Sequence, residues 1–183
     1  MEDCTEFNNI GVGIAIINMG KILLTKRRDF PVWCLPGGHL MRHESILDAA
    51  LREAEEETGL KVETSSIVGV YAMPNKGPDG SCDIIFRGKP FGGVLFTETD
   101  ETVDANYFSI DDLPKDLIGW QYLEIVDALS DRRGVLSILD ARISIAQIRN
   151  EIKHMQKNKP MSSYKWFQEI CSRPDRIDLS LNE

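Results

Sequence analysis

Apolar positions fall first in residues 10–17, an aliphatic run interspersed with small glycines that predicts a buried strand. Asn18, Met19 and Gly20 have turn chemistry, and Lys21–Thr25 reads as the returning strand of a hairpin. Residues 29–38 hold two prolines and two glycines and are expected to be irregular. The period then changes. Ile46, Ala49, Ala50 and Ala54 recur at helical spacing between Ser45, an N-cap with Asp48 three residues on, and Gly59, a natural stop. Residues 66–73 and 82–87 predict strands around a polar loop, Asn75–Gly80, and residues 94–97 and 105–109 predict further short ones. Asp111–Pro114 reads as a turn and Gln121–Arg132 as a second helix. Beyond Gly134, Val135, Ile138, Leu139, Ile145, Ile148, Ile152 and Met155 recur at helical spacing, and Ser163–Ile170 predicts a last short helix. The order predicts an α/β (α+β) domain with helices packed on a sheet, followed by a helical C-terminal extension.

Composition narrows the class. A chain of 183 residues with 42% apolar and 27% charged residues is ordinary globular material. The longest apolar stretch, Val12–Ile17, is far short of a membrane span, which takes about 20 residues. The first residues are acidic where a signal peptide is basic. Cys4, Cys34, Cys82 and Cys171 lie far apart with no Cys-x-x-Cys pair, which favours reduced thiols and a cytoplasmic location over a zinc site. Residues 1–131 carry 11 Lys and Arg against 23 Asp and Glu, whereas residues 132–183 carry 10 against 6. A body so acidic repels a phosphate backbone, so extended nucleic-acid binding is not expected.

The acidic charge is concentrated on the first helix. Glu53, Glu56 and Glu57 stand at i, i+3 and i+4 and share one face, with Glu55 in the same turn and a half. They fall at the C-terminal end, where the helix dipole already places about half a negative charge. A helix meant only for packing would hold lysines there; something cationic is expected to offset the repulsion. Carboxylate oxygens on a rigid face select a hard divalent ion over zinc.

The segment from Gly38 to Leu60 resembles the Nudix box: Gly, five residues, Glu, seven residues, Arg-Glu, an aliphatic, any residue, Glu-Glu, any residue, Gly, aliphatic. Gly38, Glu44, Arg52, Glu53, Glu56, Glu57, Gly59 and Leu60 all fall in register, and Ala54 alone departs, being smaller than the aliphatic residue of the strict form. Trp33–Gly38 looks like the lead-in to the box. The resemblance covers residues 8–131 and implies a mixed β-sheet sandwiched by helices, with residues 132–183 a helical extension that packs on the body or pairs with a second copy in a homodimer. It also implies hydrolysis of a nucleoside diphosphate linked to another moiety, a small-molecule substrate, with Mg²⁺ or Mn²⁺ as cofactor. By position, Glu53, Glu56 and Glu57 are the expected metal ligands, with the Gly38 carbonyl as another. Arg52 orients a carboxylate, and Glu44 pairs with Arg52 or holds a water.

Residues outside the box complete the expectation. Among Glu98, Asp100, Glu101 and Asp104, Glu101 is the candidate further ligand or general base. Gly37, Gly38 and Arg28 are candidate substrate contacts, the last with its neighbour Arg27 at a strand end. Trp33 and Cys34 read as packing residues, and His39 and His43 as loop residues flanking the site. Pro74, fifteen residues past Gly59, resembles the position where ADP-ribose hydrolases of the family carry a proline. ADP-ribose or a nucleotide sugar is therefore the first expected substrate. The alternatives are nucleoside triphosphate pyrophosphohydrolysis, or a catalytically silent ligand sensor, which would have lost box glutamates that are all present here.

Overall fold

The computed structural model describes residues 6–154 and 160–180; Cys4 and Met155 lie outside them. Strand β1 (Glu6–Asn18) turns through Met19 and Gly20, both at positive φ, into β2 (Lys21–Arg27). That is the geometry a two-residue hairpin needs to match strand twist. Two short strands, β3 (Trp33–Cys34) and β4 (Gly37–Met41), lie in and beyond the segment expected to be irregular. Helix α1 (Ile46–Thr58) follows. Ser45 Oγ accepts from the Asp48 N–H, and Gly59 ends the helix in the left-handed region, donating its N–H to the Glu55 carbonyl. Strands β5 (Leu60–Met73) and β6 (Ser81–Gly93) form the longest antiparallel pair, each longer than its hydrophobic core suggests. Then come β7 (Thr102–Phe108), α2 (Gly119–Leu129), β8 (Val135–Leu139), α3 (Ile145–Lys153), α4 (Lys165–Ile170) and β9 (Arg176–Asp178).

The strands order as β3-β2-β1-β6-β5-β8-β9, with β4 paired to β1 and β7 to β2; β1·β6 and β5·β8 are parallel. Alternation along β1 and β2 feeds two cores. Val12, Ile14, Ile16 and Leu23 face α1, whose Ala49, Ala50 and Ala54 are wholly buried. Small side chains there let the helix lie close to the sheet. Ala15, Ile22 and Leu24 face the other way, into a core shared with α2, α3 and α4.

Two expectations about elements are corrected. Residues 94–97 form no strand; they wrap the end of α1, with the Phe96 N–H on the Thr58 carbonyl and the Phe96 ring beside Gly59. Val135–Leu139 is a strand and not the start of a helix. Its buried positions are Val135, Ser137 and Leu139, a period of two that the aliphatic spacing concealed. Among the described residues the C-terminal extension is thus two α-helices and two strands, stitched into the body. Asp127 of α2, fully buried, accepts from Tyr71 Oη (2.9 Å) and pairs with Arg132 and Arg176 (2.7 Å each), linking β5, α2 and β9. Ile148, Trp166 and Ile170 lie in the main core, so the isoleucine-rich stripe is covered by the chain's own body.

Candidate active site

The C-terminal turns of α1 face β4, and two glycines make the approach possible. At Gly37 a side chain would collide with the Val12 carbonyl, and at Gly38 with the carboxylate of Glu53. Gly37 donates its N–H to Glu57 Oε2 at 3.1 Å. Glu57 is buried, and that burial, reinforced by Glu53, pushes its carboxyl up to about 8 against the opposing pull of the Gly37 N–H and Arg27. Burial likewise raises Glu53.

Arg52 is the hub of the cluster. Its guanidinium donates to both oxygens of Glu44 (3.0 and 3.2 Å), to Glu53 Oε1 (2.7 Å), to Glu56 Oε2 (3.2 Å) and to the His39 carbonyl (3.3 Å). Glu44 also accepts the Met41 N–H at 2.7 Å, and hydrogen bonding to Arg52 holds it below the usual carboxylate range. The loop before β4 is fixed from the other side, where Gln121 Oε1 accepts the Leu35 N–H at 2.8 Å.

These groups open onto a cavity of about 340 Å³. Gly37, Gly38, Arg52, Glu53, Glu56 and Glu101 line it, and a contiguous depression joins Glu101 to Glu53, Glu56 and Glu57. Glu101 thus meets the box carboxylates in space, although it lies on the loop before β7. Its placement depends on Arg28, which donates to Glu98 Oε1 (2.8 Å) and to the Thr99 and Thr102 carbonyls, while the Arg28 N–H holds the Glu101 carbonyl at 2.8 Å.

Arg28, expected as a substrate contact, ties down the loop, and its neighbour Arg27, the last residue of β2, lines the cavity. Pro74 is exposed and does not line the cavity; Lys76, two residues on, does. Trp33 packs edge-on against Phe108 at 4.9 Å, as a packing residue should. Further contributors to the lining are Lys76, in the Asn75–Gly80 loop expected to border the substrate, and Asp83, Trp120 and Arg149, which no motif in the sequence marks. They come from four separate segments with no spacing to betray them. Arg149 of α3 and Arg27 both pair with Asp29, at 2.9 and 2.7 Å.

Among the described residues no three metal-binding side chains stand gathered as a ready cage. The reason is visible: Arg52 occupies the space between Glu53 and Glu56 and supplies positive charge there. The donor set nevertheless suits a hard divalent ion, being all oxygen and including the buried carboxyl of Glu57, for which no side-chain cation among the described residues is in bonding reach.

The chain is similar to several known proteins. An ADP-ribose pyrophosphatase of Methanocaldococcus jannaschii is 38% identical over 99 residues, 52% of this chain and 58% of that one. A MutT-like protein of Streptomyces ambofaciens is 32% identical over 117 residues, 64% of this chain and 73% of that one. The crystal structure of an ADP-ribose pyrophosphatase from Streptococcus suis, 28% identical, matches with a TM-score of 0.59 over 67% of this chain and 90% of that one. The chain spans less than two thirds of the archaeal relative's length. The NUDIX domain profile matches residues 8–129, and by that match over most of its length the chain belongs to the Nudix hydrolase family.

Proposed function

We propose that the protein hydrolyses the diphosphate bond of a nucleoside diphosphate linked to another moiety, with ADP-ribose or a nucleotide sugar as substrate and Mg²⁺ or Mn²⁺ as cofactor. One observation carries the reading: Glu53, Glu56 and Glu101 line one cavity, with Glu57 beside them, and that cavity continues past the glycines of β4 far enough to seat a nucleotide. Glu53, Glu56, Glu57 and the Gly38 carbonyl would hold the cation, with Glu101 as a further ligand. Bound there, a divalent ion supplies neutralisation of the diphosphate and acidification of water.

The chain's own residues do the remainder. Arg52 holds Glu53 and Glu56 in place and is itself fixed by Glu44. Arg27 and Arg149, both at the cavity and sharing Asp29, leave one net positive charge to meet a phosphate. Glu101, when not a ligand, is placed to take the proton of the attacking water. Displacement then needs mainly positioning and electrostatics. Residues 8–131 make up the catalytic unit, and residues 132–183 complete its wall through α3.

The test is release of phosphate from the products of ADP-ribose, AMP and ribose 5-phosphate, by added phosphatase in the presence of Mg²⁺. Turnover that falls at least about a hundredfold in Glu57→Gln supports the reading. Turnover equal in the two proteins overturns it. The shared Arg27–Asp29–Arg149 site favours one second reading, a nucleoside triphosphate as substrate, since a terminal phosphate would add an anion there. Pyrophosphate release from triphosphates, with ADP-ribose inert, would decide for it.

A further inference from the structure

The cavity has a second end, away from the carboxylates of α1. Asp83 of β6, Lys76 of the loop between β5 and β6, Trp120 of α2 and Ile145 of α3 enclose it. Asp83 is only 8% exposed, yet no hydrogen bond from the described residues reaches its carboxylate. The nearest cation, Lys76 Nζ, stands 3.7 Å away, beyond hydrogen-bond distance. The carboxylate extends over Gly11, where any side chain would collide with it, and so borders the open space. The Lys76 ammonium is itself mostly buried and lies 4.2 Å from the centre of the Trp120 ring. One turn from Trp120 on the same face of α2, Glu124 is wholly buried with neither oxygen hydrogen-bonded. Burial, with Asp83 adding to it and Lys76 opposing, pushes the Glu124 carboxyl well up. Lys76 thus leaves the Asp83 oxygens without a hydrogen bond, and at this end the cavity runs on into an adjoining one lined also by Ser81 and Ser144. A buried carboxylate whose acceptors are unfilled at a cavity wall calls for a donor, and a ligand supplies one.

We propose that this end binds the nucleobase of the substrate, the exocyclic amino group donating to Asp83 and an adjacent ring nitrogen accepting from Lys76. The assignment rests on the reading that places the diphosphate at the α1 carboxylates. Spacing agrees with it. Asp83 pairs with Gly11, and Gly11 with His39 of β4, so Asp83 lies two strand spacings, about 10 Å, from the strand whose Gly38 abuts Glu53. A nucleoside covers such a separation between its diphosphate and the edge of its base. Charge agrees as well: a carboxylate repels the phosphates but accepts from an amino group. A keto oxygen in the same place would confront the Asp83 lone pairs.

Binding of nucleoside monophosphates, measured by calorimetry, tests this independently of hydrolysis. AMP should bind at least about tenfold more tightly than IMP, and CMP than UMP, a difference the size of one good buried hydrogen bond. Asp83→Asn, near-isosteric and able to donate, should erase or reverse the preference, and Lys76→Met should weaken every nucleotide that needs the ring-nitrogen contact. Equal affinities for AMP and IMP in the unaltered protein, a preference untouched by Asp83→Asn, or no nucleotide binding at all would each overturn the proposal. The catalytic reading fails separately, by turnover insensitive to Glu57→Gln, whatever the binding preference.

Discussion

If residues beyond Gly134 belong to the body's own core, removing one side chain there must destabilise the whole protein. Trp166 of α4 offers the sharpest perturbation. It is 4% exposed and stands edge-on to Phe30 at 6.3 Å, with Phe167 at 5.8 Å. Its indole N–H has no acceptor among the described residues, so Trp166→Ala removes packing and no hydrogen bond. Truncating a buried aromatic costs about 3–5 kcal/mol, because the surrounding side chains collapse only partly into the space. For a chain of this size each kcal/mol moves the melting temperature by about 2–4 °C, so a fall of about 6–20 °C is expected. Far-UV circular dichroism read during heating measures it. The expected result is one cooperative transition, moved down as a unit. A main transition that stays in place, with a small separate loss of helix at lower temperature, would refute the reasoning and make α3 and α4 an appendage. The close fit of α2 to the segment after α4, where a side chain on Gly119 would run into the Ser172 carbonyl, argues against that outcome.

Gly38→Ala should abolish most activity while shifting stability little, since the added methyl displaces the Glu53 carboxylate and the backbone there needs no left-handed conformation; turnover and a melting curve on one preparation decide it. Arg149→Ala should raise KM several-fold with kcat nearly unchanged, the signature of a contact made equally in ground and transition states; a fall in kcat alone would contradict the placement of Arg149 at the rim. Asp178 is held down to about 2, chiefly by the Ser137 hydroxyl and then by Arg176 and Arg132. Its support for the β8–β9 ladder is therefore present above the ordinary aspartate range and lost as pH falls from about 4 to 2. Amide exchange at Ser137–Leu139 should accelerate across that window.

What the sequence disclosed and what it hid have physical reasons. Helix α1 was legible because its signals are local: Ser45 caps it, Gly59 stops it, and the alanine stripe between them has one period. The box carboxylates were legible for the same reason, since fixed gaps on one helix translate directly into a shared face. Strand β8 was not, because Val135, Ile138 and Leu139 satisfy a helical spacing while the buried set Val135, Ser137 and Leu139 satisfies a strand. A five-residue run is too short for periodicity to arbitrate. Which of Arg27 and Arg28 lines the cavity was hidden because β2 ends between them: Arg27 closes the strand at the cavity, Arg28 opens the following bend and turns to the loop before β7, and nothing in an Arg-Arg pair marks that boundary. Lys76, Asp83 and Arg149 were hidden differently. They converge only through strand pairing and the return of α3, which are products of the whole fold.

The repulsion built into α1 leads to a last expectation. Arg52 serves Glu44, Glu53 and Glu56, but Glu57 is left with the Gly37 N–H and a distant Arg27, and burial pushes it up to about 8. In the metal-free protein it therefore retains a proton through neutral pH. Because this folded-state value lies above the ordinary carboxylate range, the metal-free fold is stabilised at low pH and loses that stabilisation as pH rises towards 8. A cation must displace the same proton, so its affinity should climb through that window. At a hundredfold excess over its Kd, a ligand confined to the folded state adds about 2.7 kcal/mol, a rise in melting temperature of about 5–11 °C. Thermal melting with and without Mg²⁺ should show this rise growing from pH 6 to about 8, and Glu57→Gln should flatten it. The same variant should melt higher than the unaltered protein when both are metal-free at alkaline pH, since it removes a buried charge. A Mg²⁺-induced rise preserved in Glu57→Gln would take that residue out of the metal site and leave metal binding unable to explain its burial.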